Sequence, residues 1–147
     1  MWMDYVNTFP KPMVIYYASD MILYIDSDAV YLVADKARSK VSGFYYCSNK
    51  DPKQCPNPPI NGPIWIECKM LRHVVTSAAE AETAGLFYNC QTAIEIRNML
   101  RALNHPQPAT PIKIDNLTSA SFVNDLLKQH RCKSWDVRYH WLSEKQK

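Results

Sequence analysis

Three acidic residues, Asp28, Glu82 and Asp115, occur at positions where their carboxylates could act together. Asp28 follows a strand-like run at 21–25, Asp115 follows another at 112–114, and Glu82 lies early in a helix between them. Clustered carboxylates repel one another unless protons or cations neutralise them. Mg²⁺ binds carboxylate oxygens, and two such ions about 3.5–4 Å apart stabilise an in-line phosphodiester displacement. The alternative is that the acids are unrelated, because acids after strands commonly form turns.

The helix that carries Glu82 is the clearest element of the sequence. Ser77 and Glu80 have the spacing of a capping box, and Asn104 is a candidate for a left-handed helix end before Pro106. Apolar residues recur every three or four positions at Leu86, Cys90, Ala93, Ile96, Leu100 and Leu103. Four residues before Leu86 is Glu82, which therefore lies on the core-facing stripe, whereas Glu80 does not. A buried carboxylate is costly unless it is paired or binds a metal.

Extended segments on both sides of this helix predict a sheet. Runs at 21–25, 30–33, 43–47 and 64–68 are rich in β-branched and aromatic residues, and a basic turn is expected at 35–40. The first strand is expected to end at Asp26–Asp28, and the consecutive strands suggest an antiparallel meander. After 112–114, a second helix is predicted from Thr118, and 134–141 is read as helical. The order β-β-β-α-β-α indicates an α/β fold with a mixed (α+β) sheet. If the first and fourth strands are neighbours, the three acids converge.

Composition restricts the protein class further. The chain has 147 residues, a net charge of +3 and five cysteines without zinc-finger spacing, so one domain without structural zinc is expected. Six basic residues between 128 and 147 suggest a polyanionic partner, although a solvated helix face is the commoner explanation. Neither a signal peptide nor a membrane-spanning run occurs, which predicts an intracellular protein without membrane contact.

Four motifs occur in one order along the chain: IDSDA at 25–29, SAAEAE at 77–82, IDN at 114–116 and WDVRYHW at 135–141. Together they resemble the ribonuclease H (RNase H) domain of copia-type long-terminal-repeat retrotransposons. In those polyproteins this domain follows the reverse transcriptase domain. The similarity covers about residues 17–143. Each motif alone is short, but the ordered set is specific.

The resemblance implies an RNase H-like fold and hydrolysis of the RNA strand of RNA–DNA hybrids. Four acids in this family hold two Mg²⁺ ions, with Mn²⁺ as an alternative ion. Asp28 matches the first acid, Glu82 the second and Asp115 the third, and Asp26 is a substitute candidate for Asp28. The resemblance therefore implies that these three residues are catalytic metal ligands.

The family's last strand and last helix have no counterpart before Lys147, and that helix carries the fourth acid. Asp136 belongs to an upstream motif and Glu144 has no family counterpart, so neither is assigned the fourth role. The expected organisation is a lead-in from the polymerase region at 1–16, with a short helix near Tyr5, and an incomplete RNase H-like domain at 17–147. A fragment of a retroelement polyprotein, weakly active or inactive through truncation, is the resulting expectation.

Three functions remain open from the sequence. The first is a metal-dependent ribonuclease H in the cytoplasm, a virus-like particle or the nucleus. The second is a catalytically dead remnant that binds nucleic acid, for which the candidate contacts are Arg38, Lys128, Arg131 and Lys133. The third is a structural or interaction domain. Loss of the acids would abolish the first activity and leave the third function intact.

Overall fold

A computed structural model describes residues 2–11, 13–50, 59–115, 141–142 and 144–145. Its elements in chain order are α1 (Trp2–Thr8), β1 (Ile22–Ala34), β2 (Arg38–Ser48), β3 (Pro63–Met70), α2 (Ala78–Ala102) and β4 (Ile112–Lys113). The four strands form one mixed sheet in the order β3-β2-β1-β4. β2 is antiparallel to its two neighbours, β1 and β3, and β4 is parallel to β1. The predicted meander is confirmed, and the first and fourth strands are neighbours, which is the condition under which the three acids were expected to converge.

The strand that carries Asp28 is longer than predicted. Residues 22–25 and 30–33 belong to one strand, and Asp28 pairs with Ser42 well before β1 ends at Ala34. The prediction that the strand ends at Asp26–Asp28 is therefore wrong. Continuous pairing with β2 satisfies the backbone here, and this overrides the turn preference of the acids. The turn itself lies at 35–37, where Lys36 and Ala37 have positive φ angles of 58° and 53°.

Helix α2 begins and ends as its sequence predicts. Ser77 is the N-cap and accepts a hydrogen bond from the Glu80 amide at 3.1 Å, while Asn104 has the positive φ of 67° expected after the helix. The predicted difference between the two acids in burial is wrong, because Glu80 is 7% exposed and Glu82 6% exposed. Leu103 is 63% exposed and does not continue the apolar stripe, since the helix ends before it.

Helix α2 packs across β1 and β2 through two apolar clusters. The cluster near the start of the helix contains Val41, Leu71, Val75, Ala81 and Ala84. The cluster towards its end contains Leu23, Ile25, Tyr45, Cys47, Ala93, Ile96 and Leu100. Asn89 lies between the helical residues of the two clusters and is buried. The helix is therefore anchored on the same two strands along most of its length.

The outer edge of β1 is covered by the segment that leads to Asp115. The buried Gln107 side chain accepts a hydrogen bond from the Leu23 amide at 3.0 Å and donates to the Met21 carbonyl at 2.8 Å. The Ile25 amide then donates to the Pro111 carbonyl at 3.2 Å, after which β4 pairs with β1. A side chain thus substitutes for strand backbone before β4 begins. This fixes the path of residues 107–113 along β1 and brings Asp115 to the region of Asp28.

Gly43 permits the close approach of α2 to the sheet. A Cβ atom at this position would lie 2.6 Å from Asn89 Oδ1 and 2.7 Å from the Tyr45 ring, whereas a Cβ at Gly85 would lie 3.3 Å from its nearest atom. We expect Gly43→Ala to lower the free energy of unfolding by about 1–3 kcal/mol, because two buried side chains must move. Urea unfolding would measure this. The matched variant Gly85→Ala adds the same methyl group and should be less destabilising; an equal loss would contradict the prediction.

Candidate metal centre

The three predicted acids come together in the structure. Asp28 lies within β1, Glu82 in the first turns of α2, and Asp115 two residues beyond β4. One carboxylate oxygen from each lies within 4.8 Å of the others, and Glu82 is buried while Asp28 and Asp115 are exposed. The parallel pairing of Asp26 with Lys113 explains the convergence, because it places the end of β4 beside residue 28. The cluster therefore has a buried side and a side open to solvent.

The Glu82 carboxylate is held from one side only. Its Oε1 accepts a hydrogen bond from the Ala29 amide at 3.3 Å, whereas its Oε2 is buried and has no hydrogen-bond partner among the described residues. Glu80, also buried, differs because its Oε2 accepts bonds from the Thr76 amide at 2.6 Å and the Thr76 hydroxyl at 2.9 Å. Glu80 therefore completes the helix start, and Glu82 retains an unsatisfied buried acceptor.

The surroundings of Glu82 favour its protonated form when no cation is bound. Burial, followed by the negative charges of Asp115 and Asp28, raises the pKa of Glu82 to about 7, against the smaller opposing effect of the Ala29 amide. A divalent cation would reverse this balance, because positive charge at the cluster favours all three ionised carboxylates. Proton uptake and cation binding are thus competing ways to neutralise the same group.

The donor set fits a hard divalent cation. Three carboxylates offer only oxygen ligands, the type that Mg²⁺ and Mn²⁺ prefer over nitrogen or sulfur. Glu82 Oε2, which no described residue contacts by a hydrogen bond, supplies a buried acceptor for such a cation. Two ligands exposed to solvent leave room for water or substrate oxygens on the open side. Among the described residues, no histidine or cysteine belongs to this cluster.

The structure distinguishes the two candidates for the first acid. Asp28 belongs to the cluster, and Asp26 does not. Asp26 pairs with Phe44 on β2. The pKa of Tyr46 is raised mainly by the burial of its hydroxyl and, to a smaller extent, by the negative charge of Asp26. Asp26 therefore lies close to an aromatic group of the sheet and serves below as a matched control for Asp28.

Of the four predicted nucleic-acid contacts, only Arg38 lies among the described residues, and it is not close to the acids. Arg38 begins β2 and pairs with Ala34, roughly 20 Å along the strand from Asp28 at the usual rise per residue. Its guanidinium contacts the sulfur of Met70 at 3.7 Å. The other three predicted contacts, Lys128, Arg131 and Lys133, lie outside the described residues, as does the predicted helix from Thr118.

Asn89 contacts the strands beside Asp28, but it is not among the site residues predicted from the sequence. It is 1% exposed and binds Ser27 on β1 and Ser42 on β2. Its polar side chain between the apolar positions Leu86 and Ala93 is the signal that could have identified it. Gln107 was likewise not predicted, because nothing local indicates that its side chain pairs with a strand.

None of the helices in the described part of the chain is long and apolar enough to cross a membrane. Comparison of the sequence and structure with models of known protein families, with curated proteins and with solved structures gives no match.

Proposed function

We propose that the chain is a divalent-metal-dependent nuclease of the RNase H type that hydrolyses the RNA strand of RNA–DNA hybrids. The observation that carries the proposal is the convergence of Asp28, Glu82 and Asp115 from three separate parts of the fold, with a buried oxygen of Glu82 that has no hydrogen-bond partner in the described part of the chain. These are the same three positions that the resemblance to copia-type RNase H domains implies. The order of the sequence motifs suggests the type of reaction, and the acid cluster gives a physical reason why this chain could catalyse it.

Each acid has a distinct part in the proposed site. The Ala29 amide holds one oxygen of the buried Glu82 carboxylate, which would pre-form the buried half of a cation site. Asp28 and Asp115 complete it from the solvent side, where a phosphodiester could approach. Mg²⁺ bound there would supply Lewis-acid stabilisation of the charge that develops on the reacting phosphate. Because Glu82 must release its proton first, cation affinity should increase as pH rises through about 7.

Cleavage of a labelled RNA–DNA hybrid by the purified chain tests this proposal. We expect cutting of the RNA strand alone, dependent on Mg²⁺ or Mn²⁺ and abolished by EDTA. Asp115→Asn should lower the rate by at least about a hundredfold, because a carboxylate ligand contributes several kcal/mol to charge stabilisation. Single-stranded RNA and duplex DNA of the same sequence serve as substrate controls.

The proposal fails if a folded chain binds the cation and the hybrid but does not cut it. Salt-dependent binding of the hybrid without cutting would favour a remnant that only binds nucleic acid. Binding to a protein partner that survives substitution of all three acids would favour an interaction domain. Cutting that persists in Asp115→Asn would show that the activity comes from a different site or a contaminant.

A further inference from the structure

All hydrogen-bonding atoms of the buried Asn89 amide are used to connect α2 to the sheet. Its Nδ2 donates to Ser27 Oγ at 2.8 Å and to the Ser42 carbonyl at 2.9 Å. Its Oδ1 accepts a hydrogen bond from the Tyr45 hydroxyl at 3.0 Å. With 1% of its surface exposed, the side chain has no access to solvent water. The hydrogen bonds of Asn89 therefore fit one arrangement of α2 on β1 and β2.

These contacts connect the elements that carry two of the three acids. Ser27 immediately precedes Asp28, and Ser42 is the residue that pairs with Asp28 across the sheet. Asn89 lies seven residues after Glu82, so after two helical turns it is on the same face of α2. Its hydrogen bonds thus join the face that carries Glu82 to the strand pair that carries Asp28.

Two other hydrogen bonds between described residues join α2 to the sheet, from the Thr92 hydroxyl to Glu67 on β3 at 3.0 Å and from the Ala29 amide to Glu82 at 3.3 Å. The apolar contacts between α2 and the sheet are less specific about the position of the helix. The clusters before and after Asn89 are apolar, and the hydrophobic effect that drives their burial is non-directional. Hydrogen bonds to fixed strand groups require defined distances and angles. The missing side chain at Gly43 admits Asn89, because a Cβ there would lie 2.6 Å from Asn89 Oδ1.

We propose that Asn89 is a positioning residue for the acid cluster: its bonds to Ser27 and Ser42 hold α2 where Glu82 reaches the Ala29 amide and the other two carboxylates. An effect of Asn89 on catalysis rests on the proposed function, whereas its effect on the position of Glu82 does not. The side-chain hydrogen bonds of Asn89 go to Ser27, Ser42 and Tyr45 and not to the three carboxylates. Its effect is transmitted through the position of the helix.

Amide hydrogen exchange measured by NMR in the metal-free protein tests the placement directly. Glu82 protects the Ala29 amide, and Gln107 protects the Leu23 amide on the same strand, which serves as an internal reference. In Asn89→Leu, the exchange of Ala29 relative to Leu23 should be at least about tenfold faster than in the unsubstituted protein. Leucine retains much of the volume but cannot donate to Ser27 or Ser42.

Ile96→Ala is the matched control, because Ile96 is buried on the same helix in the cluster that contains Leu23. It should destabilise the protein without raising the Ala29-to-Leu23 ratio. An unchanged ratio in Asn89→Leu, or an equal rise in Ile96→Ala, would overturn the proposal. If Asn89→Leu does not fold, Ser27→Ala can replace it, because this change removes one of the two strand acceptors. The same ratio of Ala29 to Leu23 exchange is then measured and judged by the same outcomes.

Mn²⁺ affinity, measured by electron paramagnetic resonance of the free ion, separates this proposal from the proposed function. Asn89→Leu should weaken binding by about 10–100-fold, the usual effect of residues that orient metal ligands, and Ile96→Ala should not. Faster Ala29 exchange in a protein that binds no Mn²⁺ would retain the positioning role and reject the metal-dependent function. Unchanged exchange with unchanged Mn²⁺ binding would reject the positioning role alone.

Discussion

Asp28→Asn is expected to lower metal-dependent cleavage of the RNA–DNA hybrid by at least about a hundredfold, because it removes a negatively charged ligand from the cluster. Asp26→Asn is the same chemical change two residues earlier on the same strand. Since Asp26 is outside the cluster, this variant should retain the rate within about threefold, the effect of a modest change in local charge. Initial rates at saturating Mg²⁺ would measure both.

The pair of variants is informative because the sequence motifs alone leave both Asp26 and Asp28 as candidates for the first acid. Urea unfolding should confirm that each variant is folded at the assay temperature before rates are compared. A large loss in Asp26→Asn with full activity in Asp28→Asn would assign the first acid to Asp26 and contradict the geometry. Equal and small losses in both would place the chemistry elsewhere.

Glu82→Gln is expected to stabilise the metal-free protein at pH 8 by up to about 3 kcal/mol, because it removes a buried charge beside two others. Glu82 has a pKa of about 7 in the folded state and 4.5 as its ordinary value. The folded protein therefore binds more protons between these values, and its stability falls as pH rises from 4.5 to 7. Below pH 4.5 this penalty is absent, and above pH 7 it is complete.

Urea unfolding at several pH values, with and without Mg²⁺, would measure this effect. The two proteins should approach equal stability near pH 5 and separate towards pH 8. Added Mg²⁺ should stabilise the protein that retains Glu82 and not the variant, since only a ligand-bound folded state gains from mass action. Destabilisation by Glu82→Gln at pH 8 in EDTA would show that the carboxylate is satisfied by an unidentified partner.

Glu80→Gln supplies the matched control with the opposite sign. Glu80 accepts two hydrogen bonds from Thr76 at the start of α2, so loss of its charge should destabilise the protein by about 1 kcal/mol at pH 8. Two buried glutamates on one helix thus respond oppositely to the same substitution, because one has partners and the other has neighbouring negative charges.

Local sequence determined the main features of α2, and the sequence motifs supplied the candidates for the cluster. Ser77 marks the helix start, Asn104 follows its end, and the periodicity that places Glu82 towards the core is a property of the helix itself. Three of the four candidate ligands, Asp28, Glu82 and Asp115, converge. The helix features were predictable because capping and helical period depend on residues a few positions apart.

Only the tertiary structure decided how these parts are held together. The continuation of β1 through Asp28 depends on pairing with β2. Glu80 is buried although the helical pattern does not predict it, and its carboxylate bonds to Thr76 before the helix. Asn89 and Gln107 contact residues more than sixty positions away, which no local pattern indicates. The choice of Asp28 over Asp26 has the same origin. Sequence motifs identify residues capable of metal chemistry, whereas long-range hydrogen bonds and strand pairing select which of them meet.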